Sequence, residues 1–297
     1  MTEPRMTEPL MTEPLITAIV STYNAERFLR GCLEDLEAQT IADRLEILVI
    51  DSASPQNEGA IVAELQQRYG NIRYVRTAER ETLYAAWNRA VSLARGQYLT
   101  SANTDDRHRP DALELLTAAL DAHPEAALAY ADAAVTLREN ETFHSFRPAV
   151  FLRAPAFDRT RLFEAAYVGP QPVWRRALHE RHGLFDASFV AAADYEWWLR
   201  LAAAGETFLH VPEVLGLYLA APSSIEHRNP RLNWTESETA RLRHWRDEWG
   251  PRPRPHGFFL RIAWGQAFAR LLCGDAGPAR ELAAHARMLV HGRFSRR

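Results

Sequence analysis

Short apolar runs alternate with amphipathic stretches from Ile16 to about residue 125. The run 16–21 (ITAIVS) is short and almost wholly apolar, the pattern of a strand covered on both faces. Phe28, Leu29, Cys32, Leu33 and Leu36 then recur at three- and four-residue spacing and predict a helix. A second run, 45–51 (LEILVID), leads to a helix marked by Ile61, Val62, Leu65 and Tyr69. The third, 72–76 (IRYVR), precedes an apolar stripe of Leu83, Ala86, Trp87, Ala90, Val91 and Ala94. After the fourth, 97–102 (QYLTSA), Pro110 stands at an expected helix start, ahead of Leu113, Leu116 and Leu120. Four strand–helix pairs in series predict a parallel sheet with helices on both faces. Ligands of such sheets bind at the carboxyl ends of the strands.

The pattern loosens beyond residue 125. Strands are expected at 127–137 and near Thr142–Pro148, and two short ones within 206–219. Helices are expected at 156–166, at 194–205, where Gly205 ends the stretch, and at Trp234–Glu248. PRPRPHG (251–257) reads as a stiff linker before one or two C-terminal helices. The repeated unit MTEPRMTEPLMTEPL lacks the apolar core of a signal peptide and reads as a disordered leader. The expected organisation is therefore leader 1–15, a first half 16–125, a second half 126–232 and a helical extension 233–297.

Composition narrows the function only a little. A net charge of −3 gives no basic field for nucleic acid. Cys32 and Cys273 are too few for a disulfide framework or a four-thiolate zinc site and fit a reducing cytoplasm. Cys32 falls on the apolar face of its helix and is expected in the core. His179-Glu180-Arg181-His182 spaces its histidines three apart and is not the HExxH zinc motif. No run approaches the roughly 20 apolar residues that span a bilayer. The stretch FFLRIAWGQAFARLLCG is amphipathic, and with Arg293, Arg296 and Arg297 it suggests peripheral contact with a membrane surface on the cytoplasmic face.

The chemistry gathers at the strand ends. Ser21-Thr22-Tyr23-Asn24 follows the first strand, with Asn24 suited to cap the next helix. Asp51-Ser52-Ala53-Ser54 follows the second, where a carboxylate can accept from a base or a ribose, or simply shape a turn. Neither GxGxxG nor GxxxxGK[ST] is present, which argues against a dinucleotide fold and an ATPase loop. Asn103-Thr104-Asp105-Asp106 follows the fourth. Adjacent carboxylates repel, and a cation shared with substrate phosphates relieves them.

STYNAERFLRGCLEDLEAQT, EILVIDSAS, the run Tyr84–Asn88 and the approach Gly96–Asp106 together resemble glycosyltransferase family 2 over most of residues 16–230. The resemblance implies an α/β GT-A fold: a Rossmann-like, mainly parallel sheet flanked by helices, here with a C-terminal helical extension. It implies transfer of a sugar, with inversion, from a nucleotide-sugar, typically a UDP-sugar, to a hydroxyl of a glycan or lipid-linked acceptor in envelope polysaccharide synthesis. By the same resemblance Thr22, Tyr23 and Glu26 line the nucleotide pocket and Asp51 contacts the base. Asp105 and Asp106 contact the ribose and hold Mn²⁺ or Mg²⁺ on the diphosphate. Asn103 stands where many relatives carry Asp; its amide can still accept from a ribose hydroxyl. Asp194, in AAADYEWWLRLAAAG, matches the family segment that carries the general base, with Glu196 as runner-up. Its residue-level alternative is a helix cap. Gln171 and Trp174 are expected to border the acceptor, and His227 to complete the metal site within a loop that closes on the donor. Two other classes stay open: a nucleotidyltransferase, which would carry a Gly-rich loop with Arg and Lys after the first strand, and a non-catalytic nucleotide-sugar or glycan-binding module.

Overall fold

A computed structural model describes residues 13–221 and 224–251, without the side chains of Glu226 and His227. The first half is built as the periodicity predicts. In order come β1 (Ile16–Thr22), α1 (Glu26–Glu37), β2 (Leu45–Asp51), α2 (Glu58–Gln66), β3 (Ile72–Arg76), α3 (Leu83–Leu93) and β4 (Tyr98–Ser101). These four strands are parallel, in the order β3-β2-β1-β4. The alternation of side chains explains why the strands read as unbroken apolar runs. Ile16, Ala18 and Val20 of β1 pack on one face with Leu29, Leu33 and Leu36 of α1. Ile19 points to the other face, where Leu48, Ile50 and the Trp87 helix lie. Cys32 is 2% exposed in the first of these cores.

The second half adds β5 (Arg107–His108), α4 (Ala112–Ala122), β6 (Ala126–Thr136), β7 (Val150–Leu152), α5 (Arg159–Glu164), β8 (Val173–Arg175), α6 (Leu178–His182), α7 (Ala193–Ala203), β9 (Thr207–Leu219), α8 (Ile225–Arg228) and α9 (Pro230–His244). The sheet continues across both halves as β3-β2-β1-β4-β8-β6-β9-β5, with β7 on β6. β8 joins antiparallel to both β4 and β6.

Four expectations change here. Residues 206–219 form one strand, not two. Pro212 sits where two residues of β9 bulge out between the Ala131–Val211 and Asp132–Val214 pairs, so its missing N–H breaks no ladder bond. Residues 142–148 make a turn, with Ser145 and Phe146 N–H on the Thr142 carbonyl, and the strand lies later at β7. The 156–166 helix is trimmed to α5, whose first turn Asp158 caps through Arg161 N–H at 2.9 Å. The 234–248 helix starts earlier, because Asn229 caps Leu232 N–H at 3.1 Å and Pro230 follows it. Leader residues 1–12, the linker from Arg252, Cys273 and the C-terminal amphipathic stretch lie outside the described residues. Among those described, no helix is long and apolar enough to cross a membrane.

Candidate active site

The loops after β1 and β2 are stitched into one unit. Parallel register sets Thr22 beside Asp51. Glu58, fully buried at the start of α2, accepts from Ala25 N–H at 3.0 Å, Ser54 Oγ at 2.7 Å and Thr22 Oγ1 at 3.5 Å. Ser54 Oγ in turn accepts from Asn24 N–H at 3.0 Å. Glu26 and the next loop bond reciprocally: Glu26 N–H donates to Gln56, and Asn57 N–H donates to Glu26. Asn24 is therefore no cap. It takes φ +54°, a conformation asparagine tolerates well, and residues of the neighbouring loop receive the N–H groups at the start of α1. Tyr23 is partly exposed under the Arg80 guanidinium, 4.0 Å from its ring centre.

Asp51 is wholly buried and already engaged. Its Oδ1 accepts from Ser54 N–H at 2.7 Å; its Oδ2 accepts from Tyr74 OH at 2.5 Å and from Arg76. The arginine's side chain is 46% exposed. Asp51 thus fixes a partly exposed guanidinium that also donates to the Ser54 carbonyl at 2.8 Å, a partner that local sequence pattern does not reveal.

Asp106 is buried. Its Oδ1 accepts from Leu219 N–H on β9 at 3.2 Å and its Oδ2 from the Asn103 amide at 3.2 Å. An aspartate at 103 would set another carboxylate against it, so Asn103 provides a donor where repulsion would otherwise arise. Burial, then the neighbouring Asp105, push the Asp106 carboxyl well above the ordinary range. Burial also raises Asp105, which is the more exposed of the two.

Asp194 comes from the second half yet reaches the same end of the sheet. Its Oδ1 accepts from Tyr84 OH, on the first turn of α3, at 2.9 Å. Tyr84 packs edge-to-face on Trp87 at 5.5 Å, and the Trp87 indole N–H reaches Ser21 Oγ, next to Thr22, at 3.3 Å. Burial, then the Asp194 charge, raise the Tyr84 hydroxyl far above its usual range, so it remains a donor. Ala192 is the N-cap of α7 and makes no side-chain bond, while Asp194 Oδ1 also accepts from Tyr195 N–H in the first turn at 2.8 Å. Glu236 on α9 instead accepts from the N–H groups of Val190, Ala191 and Ala192 at 2.8, 2.8 and 3.1 Å. Neither Tyr84 nor Glu236 was flagged by local pattern.

The three expected acceptor-side residues are all buried. Trp174 is fully buried on β8 and donates to His179, packed as a core residue. Glu196 is 1% exposed and turned toward α9, pairing with Arg200 at 2.5 Å and His244 at 2.6 Å. Burial opposes its ionisation, but those partners outweigh it and hold the carboxyl below its usual range. Gln171 is buried, donating to the Arg107 carbonyl at 3.1 Å and lying across Gly216, where an added Cβ would meet its Oε1 at 1.9 Å. The His227 side chain lies outside the described residues. His182 pairs with Glu206 at 2.7 Å, away from His179, so the HERH stretch gathers no ligand set.

The family model for glycosyl transferase family 2 matches residues 17–173. The chain belongs to glycosyltransferase family 2. The chain is 28% identical over 198 residues to the chondroitin synthase of Pasteurella multocida, covering 66% of this chain and 19% of the synthase. It spans less than a quarter of the length of several curated relatives that it matches. Among solved structures it is similar to the mannosyltransferase PcManGT from Pyrobaculum calidifontis in complex with GDP-Man and Mn²⁺, with a TM-score of 0.63 at 22% identity over 97% of this chain and 84% of that one. S. aureus TarS 1–349 in complex with UDP-GlcNAc gives 0.60 at 14% identity over 95% and 93%. These likenesses establish the GT-A fold of the chain.

Proposed function

We propose that this glycosyltransferase moves a sugar, with inversion, from a UDP-sugar to a hydroxyl of a glycan or lipid-linked acceptor, with Asp194 as general base. The observation that carries this reading is the Asp194–Tyr84 hydrogen bond, which ties a carboxylate of the second half to the strand ends where Thr22 and Asp51 meet. Similarity to structures titled as complexes with UDP-GlcNAc and with GDP-Man and Mn²⁺ supports a nucleotide-sugar donor. The resemblance to chondroitin synthase supports a polysaccharide acceptor.

The residues divide the work. Tyr23 offers a ring face for stacking, and Arg76, fixed by Asp51, offers donors to the base edge. Asp194 takes the proton of the attacking hydroxyl while the bond to the diphosphate breaks through an oxocarbenium-like transition state. A weakly basic carboxylate suffices because the proton leaves late, when attack has already acidified the hydroxyl. Among the described residues no three His, Cys, Asp or Glu side chains cluster as a metal site. The pair Asp105 and Asp106 still fits Mn²⁺ or Mg²⁺, because such ions take one or two carboxylates and complete their shell with phosphate and water oxygens. With Asp106 engaged by Leu219 and Asn103, Asp105 would be the principal ligand. When bound, the ion supplies positive charge to the leaving diphosphate.

The test is turnover across a nucleotide-sugar panel with Mn²⁺, Mg²⁺ or chelator. Chelator should abolish turnover, and turnover that survives it would remove the metal from the mechanism. Asp194→Asn should abolish transfer and keep nucleotide binding; lost binding would make Asp194 structural.

A further inference from the structure

Arg107 follows the two aspartates directly and is 3% exposed. A buried guanidinium needs its donors satisfied, and here the acceptors are specific. One terminal nitrogen donates to the Thr104 carbonyl at 2.9 Å and to the Asp106 carbonyl at 2.7 Å. These two carbonyls flank Asp105 on either side. A single planar group therefore spans the turn at whose centre Asp105 lies. The other terminal nitrogen donates to Asn140 Oδ1 at 2.7 Å, in the loop after β6, and the Asn140 amide donates onward to the Arg27 carbonyl of α1 at 3.1 Å. On the remaining side Asp35 of α1 lies 3.3 Å from Nε. Gly31 leaves the space: a Cβ there would come within 2.6 Å of the guanidinium.

We propose that Arg107 is a positioning residue for the metal–diphosphate site, its guanidinium fixing the Thr104–Asp106 turn so that the Asp105 carboxylate is presented to the ion. The inference rests on the metal reading above. A lysine could not substitute, because a point ammonium lacks the planar fork that serves carbonyls, amide and carboxylate together. Arg107 also places a fixed positive charge beneath two adjacent carboxylates, easing their repulsion before any ion arrives.

The experiment measures UDP and GDP affinity of the full chain with and without Mn²⁺, by calorimetry, for wild type, Arg107→Lys and Arg107→Met, alongside melting temperature. The expected result is a fall of about tenfold in the Mn²⁺-dependent gain in nucleotide affinity, the scale on which residues supporting metal ligands act, with metal-free affinity within about twofold. Folded variants that keep the full Mn²⁺ gain overturn the inference. Should both variants fail to fold, Asn140→Gly, which still permits the φ of +58° at that position, and Asp35→Asn each remove one tie to the guanidinium. Each is expected to lower the Mn²⁺ gain severalfold, and an unchanged gain in both overturns the inference. A wild type whose nucleotide affinity ignores Mn²⁺ overturns the metal reading itself and this inference with it.

Discussion

His179 is neutral at physiological pH because of where its nitrogens point. The Trp174 indole N–H donates to Nε2 at 3.0 Å, so that nitrogen carries a lone pair, and Nδ1 must hold the proton facing the Gly183 carbonyl at 3.1 Å. The ring stacks on Trp197 at 4.2 Å, and burial lowers its pKa to about 4. The unfolded chain protonates this histidine near ~6.5, and the folded one resists. Between those values the unfolded state binds more protons, so stability falls as pH falls from about 6.5 toward 4. Between pH 7 and pH 5 the wild type should lose about 2 kcal/mol more than His179→Gln. Urea denaturation of both proteins at the two pH values checks this, since every other titrating group is shared; equal losses would refute it. The same contrast explains what single residues disclose in a sequence. The mutual repulsion of Asp105 and Asp106 follows from their adjacency in sequence, and it is among the causes that raise Asp106. The surroundings of Trp174 and His179 follow from no such adjacency, because they are made by β4, β6 and α7.

At the scale of elements, legibility follows how a segment is buried. β1, β2 and β4 are buried along nearly their whole length, so pattern and place coincide. β8 has three residues and exists only because β4 and β6 flank it, and no local periodicity announces it. β9 runs through Pro212 as one strand, which only the two-residue bulge there makes tolerable. α9 looked like part of a separate extension. In the fold it serves the segment before α7, where the Glu236 carboxylate gathers three successive N–H groups immediately ahead of Asp194. Glu236→Ala leaves those groups without their charged acceptor, at a cost of about 1–3 kcal/mol if they remain shielded from water. The expected outcome is a lower melting temperature and about tenfold slower donor turnover, a kinetic cost on the same energy scale, with nucleotide affinity unchanged. Unaltered turnover in the folded variant would show that the segment holds Asp194 without this cap.

At the scale of the whole fold, one sheet carries both halves, and the proposed site draws on both sides of the residue 125 boundary expected from pattern. The proposed nucleotide loops follow β1 and β2, the proposed base stands on α7, and Tyr84 on α3 reaches that base over a separation of 110 residues. A helix of the first half thereby orients the carboxylate proposed as base. Tyr84→Phe tests this division because it keeps the ring, and with it the packing on Trp87 and Phe185, and removes only the hydroxyl. Hydrogen bonds to charged groups are worth about 1.5–3 kcal/mol. Loss of one that holds the base in its reactive orientation should therefore slow turnover by roughly tenfold to a hundredfold. Nucleotide affinity should be unchanged, since none of the nucleotide-loop contacts passes through that oxygen. The comparison to make is kcat against nucleotide Kd in Tyr84→Phe, Asp194→Asn and the double variant. If the tyrosine acts through Asp194, the double variant is no slower than Asp194→Asn alone. An additive loss would assign Tyr84 an effect of its own, and a loss of nucleotide binding would place it in the donor pocket instead.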